Sequence, residues 1–591
     1  MPTSFRRVRL GLIRRFFVVV GAVLACPAIA AGHADETASP THPTTDLFLA
    51  GGALNICSGL ATKHCAQSAH LAAGRTTSSY RIDAVGIALA TDPLVWSKQP
   101  SERVEAVRVW LQMAARIEGK KALDEGAVYD LFAKVCQRRT TSSACSPSPL
   151  WERLDDAERG AILSALEQPQ LDSAGTRIRE QVSLKHSRDL AGADILRAFV
   201  AAAAKRAGGV PKIGFVTASS FDSMDALDFY SEALRQAGAE PRWWPIDQAA
   251  AAVVFGDGDC AKLNSERARK LNIVGRERVY PDHAKTQAMW CQSADAAKFP
   301  DDLDGVFFAG GDQWRLQQAL VDATGAPNAW MLGLRQAFSN GRIAVAGTSA
   351  GSAVQSALPM LGNGTSEHAL RHLGKMRAPP SPGCTRSGSC GDVDEDSLTW
   401  WDAGGIGLAP FVVDTHFSER SREWRLLTLL AQSGARAGLG VDETSALHLQ
   451  GQTDGSLRIQ ALGKSGGWLF SVVAQNCGQL RGQASYLAPQ RDLQWRDGAV
   501  VWPSVAERQT SVGPERRLAA DDGLLSAALR TAMQSLVPLD AGDLLFADER
   551  VSMRLARGAN TAAFAGTREL RSVLGVEFEL RWPQAGCQFR P

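Results

Sequence analysis

The sequence has no basic block and almost no net charge: 64 Lys and Arg against 62 Asp and Glu leave +2 over 591 residues. Nothing in that balance points to a polyanionic partner, so nucleic acid is set aside. It has no C-x-x-C and no H-E-x-x-H spacing, so neither a metal nor another cofactor is expected. Beyond residue 30 it has no apolar run long enough to cross a bilayer. What it does have is length and 45% hydrophobic residues, enough for a large core and long for one domain.

Residues 1–30 read as an export signal. Arg6, Arg7, Arg9, Arg14 and Arg15 precede the apolar run Phe16 to Leu24, and Ala28-Ile29-Ala30 supplies small residues for cleavage. Val23-Leu-Ala-Cys26 is a poor lipoprotein box, so a lipid anchor at Cys26 is the minor alternative. Ten cysteines follow, an even number that in an exported chain implies disulfides. Cys57/Cys65, Cys136/Cys145 and Cys384/Cys390 are plausible local bridges, and Cys260/Cys291 and Cys477/Cys587 would then be the longer ones, but sequence leaves the connectivity open. The expected compartment is extracellular or periplasmic.

The chain divides by pattern. Residues 31–54 are a polar N-terminus leading into a short buried strand, Asp46 to Gly52, that ends in a glycine turn. Residues 55–190 have helical spacing and read as an insertion. From 191 to about 480, strands alternate with helices, which implies a mainly parallel sheet covered on both faces. A helix is expected to begin at Ser352 and run to Leu358. Residues 379–400, rich in Pro, Gly and Ser, form a bridged loop. Residues 481–591 are a C-terminal extension with little readable pattern beyond a β-rich beginning.

The stretch that organises the rest is Gly341 to Gln355. An apolar strand, Ile343 to Ala346, runs into Gly347-Thr-Ser349-Ala-Gly351, the G-x-S-x-G spacing of a nucleophile elbow. A serine nucleophile needs a base and a carboxylate that orients it. Two further strand ends supply them: His416 follows Gly407 to Asp414, and Asp442-Glu443 follows Ala437 to Val441. Active groups of a parallel sheet gather at such carboxyl ends.

Four motifs carry a resemblance to cyanophycinases and their relatives the aspartyl dipeptidases, serine peptidases of class I glutamine-amidotransferase-like fold. Phe308-Ala-Gly-Gly-Asp-Gln313 resembles the family's F-x-G-G-x-Q turn, and Gly347 to Gly351 its nucleophile turn. Asp414-Thr-His-Phe-Ser-Glu-Arg-Ser-Arg-Glu-Trp-Arg-Leu426 resembles the D-Q-H-F-x-x-R-x-R-x-x-R-L segment of cyanophycinases, with seven matches in order. Gly438 to Thr444 resembles their G-I-G-V-D-E-x turn.

The resemblance implies an α/β, flavodoxin-like three-layer sandwich, and Ser349, His416 and Glu443 as nucleophile, base and orienting carboxylate. Asp442 competes with Glu443 for the last role. It implies an oxyanion hole from the N–H groups near Gly311 and Ala350. Gln313, Asp414, Thr415, Arg420, Arg422 and Arg425 would bind substrate, with Thr415 standing where the family has Gln. Three arginines suit a substrate dense in carboxylates, because guanidinium grips carboxylate bidentately. The implied reaction is hydrolysis of cyanophycin, multi-L-arginyl-poly-L-aspartate, to β-Asp-Arg dipeptides. An aspartyl or isoaspartyl peptidase acting on other peptides is the near alternative, and a catalytically silent cell-envelope binding protein the distant one. A glutamine amidotransferase is disfavoured, since its nucleophile is Cys. A homodimer is compatible with the sequence.

Overall fold

The strand Thr45–Ala50, written β1, has Leu47 and Leu49 on one face and Phe48 and Ala50 on the other, and all four are buried. The two sets enter different hydrophobic clusters, as the two-residue period of a strand requires when both faces are covered. The computed structural model describes residues 42–68, 71–97, 99–118, 121–137, 145, 149–476, 478–502, 516–519, 521–536, 543–547, 551–565 and 570–582. The export signal, Cys26, Cys477 and Cys587 lie outside them.

β1 sits near the middle of a nine-stranded sheet. On one side it pairs in parallel with Ala344–Thr348 (β5), followed by Gly305–Phe308 (β4), Lys212–Val216 (β2) and Glu240–Trp243 (β3), all parallel. Helices Ala191–Ala207 and Leu227–Gln236 place buried apolar residues in the cluster with Phe48, while Gln313–Leu320 and Ala329–Ser339 do so in the cluster with Leu47. On its other side β1 pairs antiparallel with Ser445–Gly451 (β8), and 457–463, 492–496 and 499–501 continue the sheet as an antiparallel meander. The chain is thus mixed α/β with parallel strands and a β-rich C-terminal region, and nearly half of the central sheet is antiparallel.

Val412–Thr415 (β6) and Ala437–Val441 (β7), which pattern alone would add to the parallel sheet, instead begin a second sheet of eight strands. Glycine makes the move feasible. A Cβ at Gly440 would lie 2.3 Å from the Phe417 ring, and one at Gly438 3.1 Å from Leu426, so the segment after β6 packs directly on β7. The sheet continues through 467–476, 479–487, 571–581, 552–565, 543–547 and 516–519. Residues on both sides of position 480 therefore share one sheet. Helix Ala528–Leu536 buries Leu529, Met533 and Leu536 in the same cluster as Trp424 and Trp468.

The helical insertion has its own core around Trp110, Phe132 and Ile162. Ions tie it to the residues that follow: Arg276, 1% exposed, reaches Glu167 at 2.8 Å, and Arg75 reaches Asp225 at 3.2 Å. The 379–400 loop leans on this insertion, with Asp156 N–H donating to Pro382 O at 2.8 Å and Arg386 pairing with Asp156 at 2.7 Å.

After β5 the helix is only Ala350–Ala353, not the longer one expected. Its continuation is pre-empted because Ile406 N–H takes the Val354 carbonyl at 2.6 Å and Ala409 N–H takes that of Gln355 at 2.9 Å. So short a helix carries little macrodipole, and the turn's own N–H groups matter instead.

Four of the expected sulfur pairs are bonded: Cys57–Cys65, Cys136–Cys145, Cys260–Cys291 and Cys384–Cys390. Peptide mapping of the purified, unreduced protein should recover these four cross-linked pairs; recovery of their cysteines as free thiols, or in other pairings, would contradict the fold.

Candidate active site

Ser349 has φ +52° and ψ −118°, a conformation that costs an L-residue about 1–3 kcal/mol and survives only where neighbours enforce it. They do. Ser349 N–H donates to the Ala50 carbonyl at 2.9 Å, and Ser352 N–H donates to Ser349 O at 2.8 Å. A Cβ at Gly347 would lie 2.1 Å from the Gly351 carbonyl, and one at Gly351 2.1 Å from that of Phe308. The small residues of the motif are steric necessities of the turn.

The hydroxyl so presented lies 2.8 Å from His416 Nε2, and His416 Nδ1 lies 2.6 Å from Glu443 Oε1. An ionised carboxylate only accepts, so Nδ1 carries the proton and Nε2 is the acceptor for the Ser349 hydroxyl. Burial pulls the His416 pKa below its ordinary value; the Glu443 hydrogen bond opposes this, and Arg420 and Arg422 reinforce it. The imidazole is therefore neutral at pH 7, as a proton acceptor should be.

All three segments hang on the end of β1. The Ala50 carbonyl takes Ser349 N–H and, at 2.8 Å, the Ser352 hydroxyl. Gly51 O takes His416 N–H at 2.8 Å, and Gly52 O takes Thr444 N–H at 2.9 Å. Gly51 and Gly52 carry this role unrecognised by sequence reasoning, although the double glycine at a strand end was its visible sign. A Cβ at Gly51 would lie 2.1 Å from Asp442 O; at Gly52, whose φ is +100°, it would lie 2.3 Å from the imidazole Cε1.

Asp442 is not placed to orient His416. Its buried carboxylate takes Ser418 N–H at 3.0 Å, the Tyr486 hydroxyl at 3.1 Å and Arg530 at 2.6 Å. Burial, then the charge of Glu419, pushes it up to about 6 against the pull of Arg530. Tyr486 and Arg530 come from the C-terminal region, whose sequence gave no sign of a part here.

Gly310, after β4, approaches Ser349, since a Cβ there would lie 3.4 Å from the serine Cβ, while one at Gly311 would lie 2.2 Å from Ser219 O. Gly311 has φ +143°, and among the described residues no protein acceptor takes its N–H or that of Ala350. Gln313 donates its amide to the carbonyls of Leu361 and Gly362 at 2.9 and 2.7 Å.

The three arginines part company. Arg425 is buried and grips Asp414 through Nε at 2.8 Å and Nη2 at 2.6 Å, with Nη1 on Gly364 O at 2.6 Å. Asp414 is 1% exposed, so this pair is enclosed structure and not an open receptor for substrate. Helical spacing alone could not show that the partner of Arg425 lies within the chain. Arg422, its side chain 20% exposed, donates to Thr415 O at 2.7 Å; burial and the charge of Arg425 push it down to about 9, so it stays protonated at pH 7. Arg420 is half exposed and lies 3.7 Å from Glu443. Thr415 itself is buried in β6.

No family model matches the sequence. It is similar to cyanophycinases: 33% identical over 204 residues to that of Trichormus variabilis and to that of a Nostoc species, covering 34% of this chain and 53% of each of theirs. The cyanophycinase of Geminocystis herdmanii is 29% identical over 199 residues, 33% of this chain and 58% of the relative. The chain spans about half the length of the curated relatives it matches.

Two substitutions separate the roles. Gly52→Ala drives a methyl into the imidazole and should slow phosphonylation of Ser349 by a fluorophosphonate about a hundredfold, the usual result of a displacement near 1 Å; an unchanged rate would contradict the packing. Arg425→Ala should act on stability, costing about 3 kcal/mol in urea unfolding because buried Asp414 loses its bidentate partner and keeps only Arg422, 3.5 Å away, as a cation. An Arg425→Ala protein with wild-type stability would mean that the pair does not hold the fold.

Proposed function

We propose that this chain is an exported serine hydrolase that cleaves cyanophycin to β-Asp-Arg dipeptides. The observation that carries the reading is the unbroken sequence of contacts from Ser349 to His416 to Glu443, with a strained nucleophile turn maintained at a cost that a silent protein has no reason to bear. Similarity to proteins named cyanophycinase supports the substrate. The parallel strands β1 to β5, helix-covered on both faces, support a class I glutamine-amidotransferase-like fold. The four disulfides fit an extracellular or periplasmic protein, and no helix among the described residues is long and apolar enough to cross a membrane.

In the proposed mechanism, Ser349 Oγ attacks the scissile carbonyl carbon while His416 Nε2 takes the hydroxyl proton. Glu443 holds the Nδ1 proton and stabilises the imidazolium. The N–H groups of Gly311 and Ala350 face the oxyanion. His416 then protonates the departing amine, and water, activated by the same imidazole, releases the acyl group from Ser349. Arg422 and Arg420 are the cations assigned to substrate carboxylates: Arg425 is buried and gripped bidentately by Asp414, whereas Arg422 lies 3.5 Å from Asp414 and Arg420 3.7 Å from Glu443. That loss, with Thr415 in place of Gln, favours the second reading to a degree: an aspartyl or isoaspartyl peptidase of narrower grip.

Purified protein incubated with cyanophycin should release β-Asp-Arg, identified by mass, and Ser349→Ala should lose at least about a thousandfold in rate with its fold intact. Arg422→Ala should cost about ten- to hundredfold in kcat/KM on the polymer. The rate should rise with pH as His416 gives up its proton, with a midpoint below about 6.5, the ordinary imidazole value. Hydrolysis of β-aspartyl dipeptides without action on cyanophycin would select the second reading; no hydrolysis of either would refute both.

A further inference from the structure

The C-terminal region, which sequence reasoning leaves without a task, puts a cation directly behind the turn that carries Glu443. Arg530 projects from helix Ala528–Leu536, and its Nη1 lies 2.6 Å from Asp442 Oδ2 and 3.0 Å from Glu419 Oε1. The other oxygen of Glu419 accepts the backbone N–H of Glu443 at 2.9 Å. Asp442, the residue before it, is fixed further by Ser418 N–H and the Tyr486 hydroxyl. The approach of the C-terminal segment is itself bonded in place: Ala527 N–H donates to Ser418 O at 2.7 Å, and the Ser526 hydroxyl to Glu419 O at 3.0 Å.

The surroundings show why a cation is needed. Glu419, Glu423 and Asp442 gather here, and Glu423 is buried with neither carboxyl oxygen hydrogen-bonded among the described residues. Burial holds Glu423 well above the usual carboxylate range, and it makes no hydrogen bond to Arg530. Glu419 and Asp442 are left as the charges that share Arg530. Without it, two anions would meet beside the Glu443 turn with their mutual repulsion uncompensated.

We propose that Arg530 is a positioning residue of the active site: by bridging Glu419 and Asp442 it fixes the Asp442–Thr444 turn and so the carboxylate that orients His416. The proposal rests on the Ser349–His416–Glu443 reading. It makes the C-terminal region part of the hydrolytic machinery, acting through Glu443 without touching substrate. It also sets the field at the imidazole. His416 faces Ser349 from the central sheet, Glu443 from the turn, and Arg420 and Arg422 from its own segment, with Asp414 behind Arg422; Glu419, Asp442 and Arg530 lie beyond Glu443. Removing the Arg530 charge withdraws the cation that holds the Asp442 pKa down, so Asp442 takes up its proton at higher pH and the acid limb of the pH profile moves up with it.

The test is the rate of Ser349 phosphonylation by a fluorophosphonate in the full chain, followed against pH well below the melting temperature. Arg530→Gln should react about ten- to hundredfold more slowly than wild type, still at Ser349, with its acid limb displaced upward. Arg530→Lys, which keeps the charge but not the reach of the guanidinium, should return the acid limb and recover part of the rate. An Arg530→Gln protein with wild-type rate and wild-type limb overturns the proposal and leaves the serine mechanism standing. If Arg530→Gln does not fold, Arg530→Lys decides: a reduced rate supports the role, and a full wild-type rate overturns it. Failure of the wild-type protein to react at Ser349 would overturn the underlying triad reading instead, and this inference with it.

Discussion

Three backbone carbonyls at the end of one strand hold the candidate active site together. Ala50, Gly51 and Gly52 each receive an N–H from a different segment: the serine turn, the histidine turn and the residue after Glu443. Segments hundreds of residues beyond β1 are thereby brought to its end, and the distances from Ser349 to His416 to Glu443 follow from it. The arrangement leaves no room for side chains, which is why two glycines stand there. Buried carbonyls must find donors in any case, so the same bonds that satisfy the strand end also set the geometry.

The second constraint is where the chain changes sheets. Ser349 closes a strand of the central sheet, and His416 follows a strand of the second sheet. Glu443 lies on the short link by which the chain passes from β7 in the second sheet to β8 in the first. A carboxylate on such a link is held from both sides, but the second sheet is completed only by strands from 467 onward. The geometry of the candidate site therefore depends on C-terminal residues that contain none of the Ser349, His416 and Glu443 set. The Asp414–Arg425 pair extends the same logic, since Arg425 also binds Gly364 O, and Thr365 next to it bonds to Asp396 in the bridged loop.

Features governed by local sequence were legible. The elbow needs its small residues within five positions, and the glycine and strand pattern announces it. The described disulfides span 6 to 31 residues; the close pairs stood out by proximity in the chain, while their connectivity did not follow from sequence. Features governed by distant partners were not legible. Asp442 and Glu443 are adjacent, and distant partners separate them: Ser418, Tyr486 and Arg530 hold Asp442, while His416 meets Glu443. Arg425 has the helical position of a pocket residue, but Asp414 claims it. The second sheet joins 479–487 to 571–581 across a gap that no periodicity bridges.

The most direct test of the account is a crystal structure of the protein after reaction with a serine-directed phosphonate. The account predicts phosphorus bonded to Ser349 Oγ, a phosphonyl oxygen within hydrogen-bond reach of the Gly311 and Ala350 N–H groups, and His416 still bonded to Glu443. An adduct on another residue, or a phosphonyl oxygen turned away from both N–H groups, would contradict it.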